Sequence, residues 1–206
     1  NSVVFNPHPS ARQVSNDTIR LLNRAIESAG GPATLLCSVA NPTLESSQAI
    51  MKHPGIRLVL VTGGGAVVKL AMTSGKKCIA AGPGNPPVIV DDTALLTKAA
   101  RCIVDGASFD NCVLCTAEKE VFVFDNVADQ LISEMQAYGA YKVSGAELDR
   151  LVDVLVEPGE PFPHPNRDFV GKDASVLLEQ AGVRVERDVR LVICEVKADH
   201  PLVQAE

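Results

Sequence analysis

The sequence predicts an α/β fold built around a largely parallel β-sheet. Helical and strand-like patterns alternate along the 206 residues, and several of the strands are short, almost continuously apolar runs. Hydrophobic residues make up 46% of the chain, so a sizeable core can be buried and disorder is not expected. Helices placed between strands imply right-handed crossover connections, which produce parallel strand pairing.

The first third of the chain carries three helical and two strand patterns. Capping residues after Val14 and apolar positions at helical spacing predict a helix over 14–29, which two glycines end. The apolar run 34–39 predicts a buried strand. A Pro-Thr pair opens a shorter helix over 42–51. The β-branched segment 56–61 predicts a strand that runs into a row of glycines, and 66–72 continues as a helix.

The middle of the chain continues the alternation. Short strands are predicted at 77–81 and 88–90, with a loop rich in glycine and proline between them. The apolar face of 93–107 predicts a helix. Alternating polarity at 120–124 predicts a strand, and 127–138 is expected to form the next helix.

The last third is predicted to hold two more helices and one strand. Ser144 and Glu147 form a capping box that opens the first of these helices, which carries Leu148, Leu151 and Leu155. A second helix is predicted over 173–182 and a strand over 190–196. The Pro-rich segment 157–165 is interpreted as a surface loop, because regular patterning resumes soon after it. Residues 201–206 show neither a helical nor a strand pattern.

Charge and length exclude several classes of protein. The net charge is −6, from 25 acidic and 19 basic residues, and this acidic balance argues against a nucleic-acid-binding protein. No apolar run approaches the roughly 20 residues that span a bilayer, and the opening residues lack the charged and apolar regions of a signal peptide, so none is expected. A prior of about 150 residues per domain allows one large domain or two small ones.

The six cysteines are irregularly spaced in a chain that is not small. A disulfide framework is therefore not expected, and the composition fits a reducing cytosol. Most of these cysteines lie in apolar runs, where we expect small buried hydrophobic residues. Cys112 and Cys115 differ, because they lie in a polar, turn-like stretch.

A glycine-rich turn follows the strand over 56–61. Here a strand ends in Thr62-Gly63-Gly64-Gly65 and a helix begins, so free backbone N–H groups and the helix dipole would favour an anion such as a pyrophosphate. The turn matches neither the P-loop pattern nor Gly-x-Gly-x-x-Gly in order. A tight structural turn without a ligand is the alternative.

The Cys112-x-x-Cys115 pair admits four interpretations. Half of a zinc site would need a second ligand pair, and His164 and His200 stand alone, so no metal is expected. A redox pair would normally open a helix in a thioredoxin-like unit, whereas here a strand follows. The remaining interpretations are one nucleophilic thiolate, with Asn111 and backbone N–H groups as polar surroundings, and a pair of structural cysteines.

Taken together, these stretches resemble the CoA-acylating acetaldehyde and propionaldehyde dehydrogenases of ethanolamine and propanediol breakdown, within the aldehyde dehydrogenase superfamily. The resemblance covers essentially the whole chain. The family's nucleophile is a cysteine followed by a small residue and Ala, and Cys115-Thr116-Ala117 matches that pattern whereas Cys112 does not. The resemblance implies Cys115 as the catalytic residue and cofactor contacts at His8, Thr62, Gly63, Gly64, Val67, Gly82 and Glu206.

One departure within the family is informative. Hydrolytic aldehyde dehydrogenases resemble this chain but carry a Glu, which activates a deacylating water, where this sequence has Ala80. Water needs a base to attack a thioester near neutral pH, whereas a thiol with a pKa of roughly 8.5 is intrinsically a strong nucleophile. The resemblance therefore implies transfer of the acyl group to CoA.

The resemblance also implies an organisation for the protein. Residues 1–79 resemble the later part of a Rossmann-type NAD-binding domain, and 80–206 resemble most of an α/β catalytic domain. The implied reaction is NAD-dependent oxidation of acetaldehyde or propionaldehyde to acyl-CoA. The implied setting is a homo-oligomer, dimer or tetramer, in the bacterial cytoplasm or inside a bacterial microcompartment, without nucleic-acid or membrane partners. The sequence would then be the middle-to-late portion of a longer chain, and we expect little activity from it alone.

Three alternatives remain open at the level of sequence. A hydrolytic aldehyde dehydrogenase would need its base elsewhere, and a non-catalytic nucleotide-binding module would keep the fold without the chemistry. A cysteine hydrolase would need a histidine near Cys115, and none occurs between His53 and His164. Among the polar residues, Glu118, Lys119 and Glu120 are expected to be solvated charges at a strand edge. His8 is expected either to shape its loop or to meet the cofactor.

Overall fold

The computed structural model describes residues 2–82, 84–160 and 162–205. The chain divides into two compact units, residues 1–82 and residues 83–206, which we call the first and second unit. Helices and strands alternate in both, so the predicted α/β class is confirmed. The predicted assignment of 1–79 to a NAD-binding domain and 80–206 to a catalytic domain stays a prediction.

Within its described residues, the first unit contains two parallel strand pairs and three α-helices. In chain order its elements are β1 (Val3–Phe5), α1 (Arg12–Ser28), β2 (Leu36–Ser38), α2 (Leu44–Lys52), β3 (Leu58–Thr62), α3 (Gly65–Met72) and β4 (Lys77–Ala81). Strand β1 pairs with β2, and β3 pairs with β4 in a register that places Thr62 opposite Ala81. The core of this unit joins Met51, Val59, Val61 and Ala71.

The second unit contains six strands and five helices within its described residues. They are β5 (Pro87–Val90), α4 (Leu96–Ser108), β6 (Glu120–Val123), α5 (Asp125–Ala137), β7 (Ala140–Lys142), α6 (Ala146–Leu155), β8 (Val156–Glu157), β9 (His164–Pro165), α7 (Ala174–Gln180), β10 (Leu191–Ile193) and α8 (Pro201–Gln204). Pairs β5–β6 and β7–β10 are parallel, whereas β8–β9 is antiparallel.

Two cores stabilise the second unit. Helices α4 and α5 pack against each other and against β5 and β6, and they bury Val104 and Leu131 almost completely. Helices α6 and α7 form the second core around Leu151 and Leu178. Burying each of these side chains contributes about 1.5–3 kcal/mol, so the apolar helix faces predicted from the sequence are the main source of stability.

The described strands form separate pairs and not the single, largely parallel sheet predicted from the sequence. Within the described residues the strands form five two-stranded sheets, four parallel and one antiparallel. The strands are only two to five residues long. Parallel pairing across helical crossovers is therefore confirmed, whereas a single sheet is not seen.

Two predicted helix starts are wrong. Helix α1 begins at Arg12, because a 3₁₀ turn over Pro9–Ala11 leads into it before the predicted capping residues after Val14. Helix α6 begins after Gly145, whose φ is 52°, and no side chain caps it. Instead of completing a capping box with Ser144, the Glu147 carboxylate accepts from the Tyr141 hydroxyl.

Short elements escaped the sequence patterns. Strand β7 is only three residues long, and the hairpin β8–β9 lies inside the segment interpreted as a loop. Residues 201–204 form the short helix α8, contrary to expectation, because the His200 side chain accepts the Leu202 N–H and Pro201 occupies the first turn. Proline at that position loses no hydrogen bond and is already set in helical geometry.

Strand β2 and two cysteines are more exposed to solvent than the sequence predicts. Cys37, in β2, and Cys102, in α4, are exposed rather than buried, and all six cysteines are free thiols. Leu36 and Ser38, at the two ends of β2, are half-buried. Asn23 of α1 bonds the Leu36 backbone through both its amide oxygen and its amide nitrogen. Among the described helices, none combines the length and apolar character needed to cross a membrane.

Candidate active site

The glycine turn of the first unit lies at one end of the β3–β4 pair. The Gly63 N–H donates to the Ala81 carbonyl oxygen at 3.1 Å, so the turn after β3 is tied to the last residue of β4. Gly64 precedes α3 in an extended conformation, with φ −64° and ψ 158°. The structure therefore brings Thr62, Gly63, Gly64 and Gly82 to the same end of this strand pair.

The glycines of this turn leave open space beside the backbone. They do not adopt the backbone angles that only glycine favours. None of Gly63, Gly64, Gly65 and Gly82 has a positive φ, and a Cβ added at any of them would meet no heavy atom within 4 Å. Thr62 and the glycines are exposed. An open turn at the N-terminus of α3 accepts a phosphate group well, since backbone N–H groups and the helix dipole favour an anion there. These residues fit a dinucleotide cofactor.

Val67 and His8 have local roles in the first unit. Val67 is half-buried and packs against the core around Val59 and Val61. The Nδ1 atom of His8 lies 2.6 Å from the Ser10 hydroxyl and accepts the Ser10 N–H, which caps the 3₁₀ turn. His8 therefore shapes its loop, one of the two expected outcomes. Cofactor contacts at both residues stay predictions, and Glu206 lies outside the described residues.

Cys115 occupies the tip of a tight turn in the second unit. The Ala117 N–H donates to the Leu114 carbonyl oxygen at 3.1 Å, which closes a turn with Cys115 and Thr116 at its two central positions. Both central residues are exposed, whereas Ala117 is only 4% exposed and anchors the turn. The cysteine thus lies on a fixed, accessible segment.

The segment before this turn is held in an unusual backbone conformation. Asp110, Asn111 and Cys112 have φ values of 50°, 51° and 62°, in the left-handed region that side chains other than Gly, Asn and Asp rarely adopt. The Asn111 amide donates to the Gly171 carbonyl at 3.0 Å and to the Asp173 carboxylate at 2.8 Å. Because these bonds engage its donor, Asn111 positions the loop, and polar surroundings for a Cys115 thiolate from this side chain stay a prediction.

The three charged residues after the turn are not simply solvated, contrary to expectation. The Lys119 ammonium donates to the Leu114 and Ala117 carbonyl oxygens at 3.1 and 3.2 Å. The Glu118 carboxylate lies against Gly106 of α4, where a Cβ would collide with it. The Glu120 carboxylate accepts from the Asn85 amide at 3.0 Å. The charges therefore join the loop that carries Cys115 to its neighbours.

A second loop approaches the backbone of Cys115. A Cβ added to Gly84 would overlap the Cys115 carbonyl oxygen, and the Lys119 N–H donates to the Pro86 carbonyl at 3.4 Å. The loop rich in glycine and proline that the sequence singled out thus packs against the cysteine turn. The sequence offered no acid or base in this loop and so gave no reason to connect the two.

Cys194 differs from Cys115 in solvent exposure, because it is half-buried. Burial raises the pKa of the Cys194 thiol, which favours its unreactive protonated form. Across the parts of the chain that the structure describes, no three histidine, cysteine or acidic side chains converge in a metal-binding group. Cys115, unlike Cys194, is exposed, and an exposed sulfur on a hydrogen-bonded turn is suited to covalent chemistry.

Comparison with known proteins assigns the family. Residues 1–156 match the sequence profile of the aldehyde dehydrogenase family. The chain belongs to this family. Along its whole length it is 46% identical to the acetylating acetaldehyde dehydrogenase EutE of Escherichia coli (strain K12), and it spans 45% of that relative's length.

Two solved aldehyde dehydrogenase structures are similar to this one. A propionaldehyde dehydrogenase from the Clostridium phytofermentans fucose utilisation bacterial microcompartment gives a TM-score of 0.91 at 44% identity, covering 98% of this chain and 46% of that protein. A Rhodopseudomonas palustris propionaldehyde dehydrogenase with bound propionyl-CoA gives a TM-score of 0.90 at 44% identity. The match covers 98% of this chain and 44% of that protein. The aldehyde dehydrogenase fold that the sequence resemblance implied is confirmed.

Proposed function

We propose that this chain is the nucleophile-bearing part of an enzyme that oxidises acetaldehyde or propionaldehyde to the corresponding acyl-CoA with NAD as electron acceptor. The observation that carries the proposal is the exposed Cys115 at the tip of a hydrogen-bonded turn, in a chain 46% identical to an acetylating aldehyde dehydrogenase. The propionyl-CoA bound to a 44% identical relative supports an acyl-CoA product.

Cys115 performs the covalent steps. Its thiolate attacks the aldehyde carbon, forming a C–S bond and a thiohemiacetal whose oxygen carries the negative charge. Loss of hydride from that carbon leaves a thioester on Cys115, and NAD, when bound, supplies the hydride acceptor. The thiolate of CoA then attacks the thioester carbon, the bond to Cys115 breaks, and acyl-CoA leaves while the cysteine thiolate is restored.

Backbone N–H groups at the turn stabilise the oxyanion. Within the described residues, the N–H groups of Cys115 and Thr116 donate to no protein acceptor. Donors that are fixed in place before the reaction stabilise a developing negative charge without reorganisation. The Asn111 amide is engaged with Gly171 and Asp173, so it is not assigned this role.

The glycine turn of the first unit is proposed to hold the NAD phosphates. Gly63 and Gly64 leave the end of β3 open, and among the described residues no side chain caps the N-terminus of α3 there. Residues 1–79 would then act as the NAD-binding part and residues 80–206 as the catalytic part. We further infer contacts to the cofactor from His8, Thr62, Val67, Gly82 and Glu206.

The test is formation of NADH from propionaldehyde by the natural polypeptide that contains this sequence, with and without CoA. We expect sustained NADH formation only with CoA, loss of activity in Cys115→Ser, and most of the activity retained in Cys112→Ser. Sustained NADH formation without CoA would favour a hydrolytic enzyme. Loss of activity in Cys112→Ser alone would overturn the choice of nucleophile.

The cellular setting follows from the same relatives. We infer a location in the bacterial cytoplasm or inside a bacterial microcompartment, since a 44% identical structure comes from such a compartment. The resemblance to the family further implies a homo-oligomer, dimer or tetramer. Sedimentation of the natural polypeptide measures the oligomeric state, and a monomer would contradict the inference. Fractionation of purified microcompartments distinguishes the two locations.

A further inference from the structure

We propose that Lys119 is a positioning residue that sets the orientation of the Cys115 backbone, a role that rests on the proposed function of Cys115. The Lys119 ammonium is bonded to the carbonyl oxygens of Leu114 and Ala117, one at each end of the turn that presents the cysteine. Lysine has three donors and no acceptor, so one side chain can hold both carbonyls at once.

The bond to Leu114 determines where the Cys115 N–H points. The Leu114 carbonyl and the Cys115 N–H belong to the same planar peptide group, in which the two bonds of a trans unit point in opposite directions. Because the carbonyl is turned toward Lys119, the N–H is turned away from it. That N–H donates to no protein acceptor within the described residues, so it is available to an oxyanion.

The positive charge strengthens the same donor. The Leu114 oxygen accepts two hydrogen bonds, from the Ala117 N–H and from the Lys119 ammonium, and hydrogen bonds to a charged group are roughly twice as strong as neutral ones. Bonds in a chain polarise one another, so the peptide N–H on the far side becomes a better donor. Lys119 therefore orients and activates the N–H group without touching the substrate.

An ordinary surface ion pair does not account for Lys119. Its acidic neighbours in sequence have other contacts, with Glu118 against Gly106 of α4 and Glu120 bonded to Asn85. No ion pair of Lys119 is present among the described residues. The ammonium is thus directed at two backbone carbonyls.

The test has a chemical and a kinetic readout. Iodoacetamide alkylation of the 206-residue chain, followed by peptide mapping, gives the rate at Cys115 beside the rates at Cys102 and Cys194. Lys119→Met removes donor and charge, Lys119→Arg keeps both, and Lys98→Met, at an exposed lysine of α4, is the matched control. In the natural polypeptide, kcat and KM for propionaldehyde are measured for the same variants.

We expect Lys119→Met to lower kcat by roughly tenfold, the effect of losing one charge-assisted hydrogen bond, and to leave Cys115 alkylation near the wild-type rate, because alkylation forms no oxyanion. KM should change little, because an oxyanion donor acts in the transition state. Lys119→Arg should restore kcat, and Lys98→Met should match the wild type. Equal kcat in Lys119→Met and wild type, or failure of Lys119→Arg to rescue kcat, would overturn the proposal.

The alkylation experiment also distinguishes two further outcomes, a wrong nucleophile assignment and a variant that does not fold. If wild-type Cys115 reacts no faster than Cys102, the nucleophile assignment itself fails, and the role of Lys119 fails with it. If Lys119→Met does not fold, seen as fast alkylation of the half-buried Cys194, then Lys119→Ala replaces it, since alanine also removes donor and charge but places no long apolar chain beside the turn. A folded Lys119→Ala with the wild-type kcat overturns the proposal.

Discussion

At the scale of single residues, the closest constraint on Cys115 comes from a glycine. A Cβ at Gly84 would overlap the Cys115 carbonyl oxygen, which belongs to backbone and cannot rotate away. We expect Gly84→Ala to displace the cysteine turn, to lower the free energy of unfolding by about 1–3 kcal/mol, and to slow alkylation of Cys115. Urea unfolding and peptide-mapped alkylation measure the two effects.

Gly65→Ala is the matched control for this substitution. A Cβ there meets no heavy atom within 4 Å, and the residue opens α3, so alanine should be neutral or stabilising by about 0.4–1 kcal/mol. If both variants behave alike, the close approach of the Gly84 loop to Cys115 has no energetic consequence.

Prediction of single residues from the sequence succeeded for residue types that serve few structural purposes, such as glycine in a turn. An apolar strand that ends in several glycines indicated an open turn, and the structure has open space at each of Gly63, Gly64 and Gly65. The contacts of Lys119 and Gly84 were missed, because both are made to carbonyl oxygens, which every residue has. The only available signal was the run Asp110-Asn111, whose residue types favour the left-handed conformation that begins this loop.

At the scale of elements, the turn that leads into α4 makes stability depend on pH. The Asp91 carboxylate accepts the hydroxyl of Thr93 at 2.7 Å and its N–H at 3.0 Å, and these bonds lower the pKa of Asp91. A carboxyl group with a lowered pKa in the folded state stabilises the protein above its unfolded pKa of about 4. That contribution is lost as the pH falls through the folded value.

We therefore expect Asp91→Asn to be less stable than the wild type at pH 7, with the difference shrinking as the pH falls below about 4. Thermal unfolding of both proteins across this range measures the difference, and Asp92→Asn serves as the neighbouring control. A difference that stays constant with pH would mean that the ionised carboxylate does not stabilise the turn.

Element-level prediction was accurate for long amphipathic helices and for strands with alternating polarity. The apolar face expected over 93–107 is the face of α4 that buries Ile103 and Val104. It failed at helix starts and at very short elements. Helix α6 starts at a glycine with positive φ, and α8 depends on a histidine cap, and neither feature produces a hydrophobic period.

At the scale of the whole molecule, the proposed reaction divides into two halves that can be observed separately. Formation of the thioester on Cys115 would yield NADH, whereas its removal would require a thiol, because the resemblance places Ala80 where hydrolytic relatives carry the base that activates water. The proposed enzyme should therefore stop after one half-reaction when CoA is withheld.

We expect rapid mixing of the natural polypeptide with propionaldehyde and NAD, without CoA, to give a burst of about one NADH per nucleophile and then almost no turnover. Adding CoA should release propionyl-CoA and start steady NADH formation. The mass of the peptide that contains Cys115, taken before CoA is added, should show a propionyl group on that cysteine. A linear time course without CoA would contradict the separation of the two half-reactions, because it requires a second route from the thioester. An acyl group on Cys112 would instead contradict the choice of Cys115 as nucleophile.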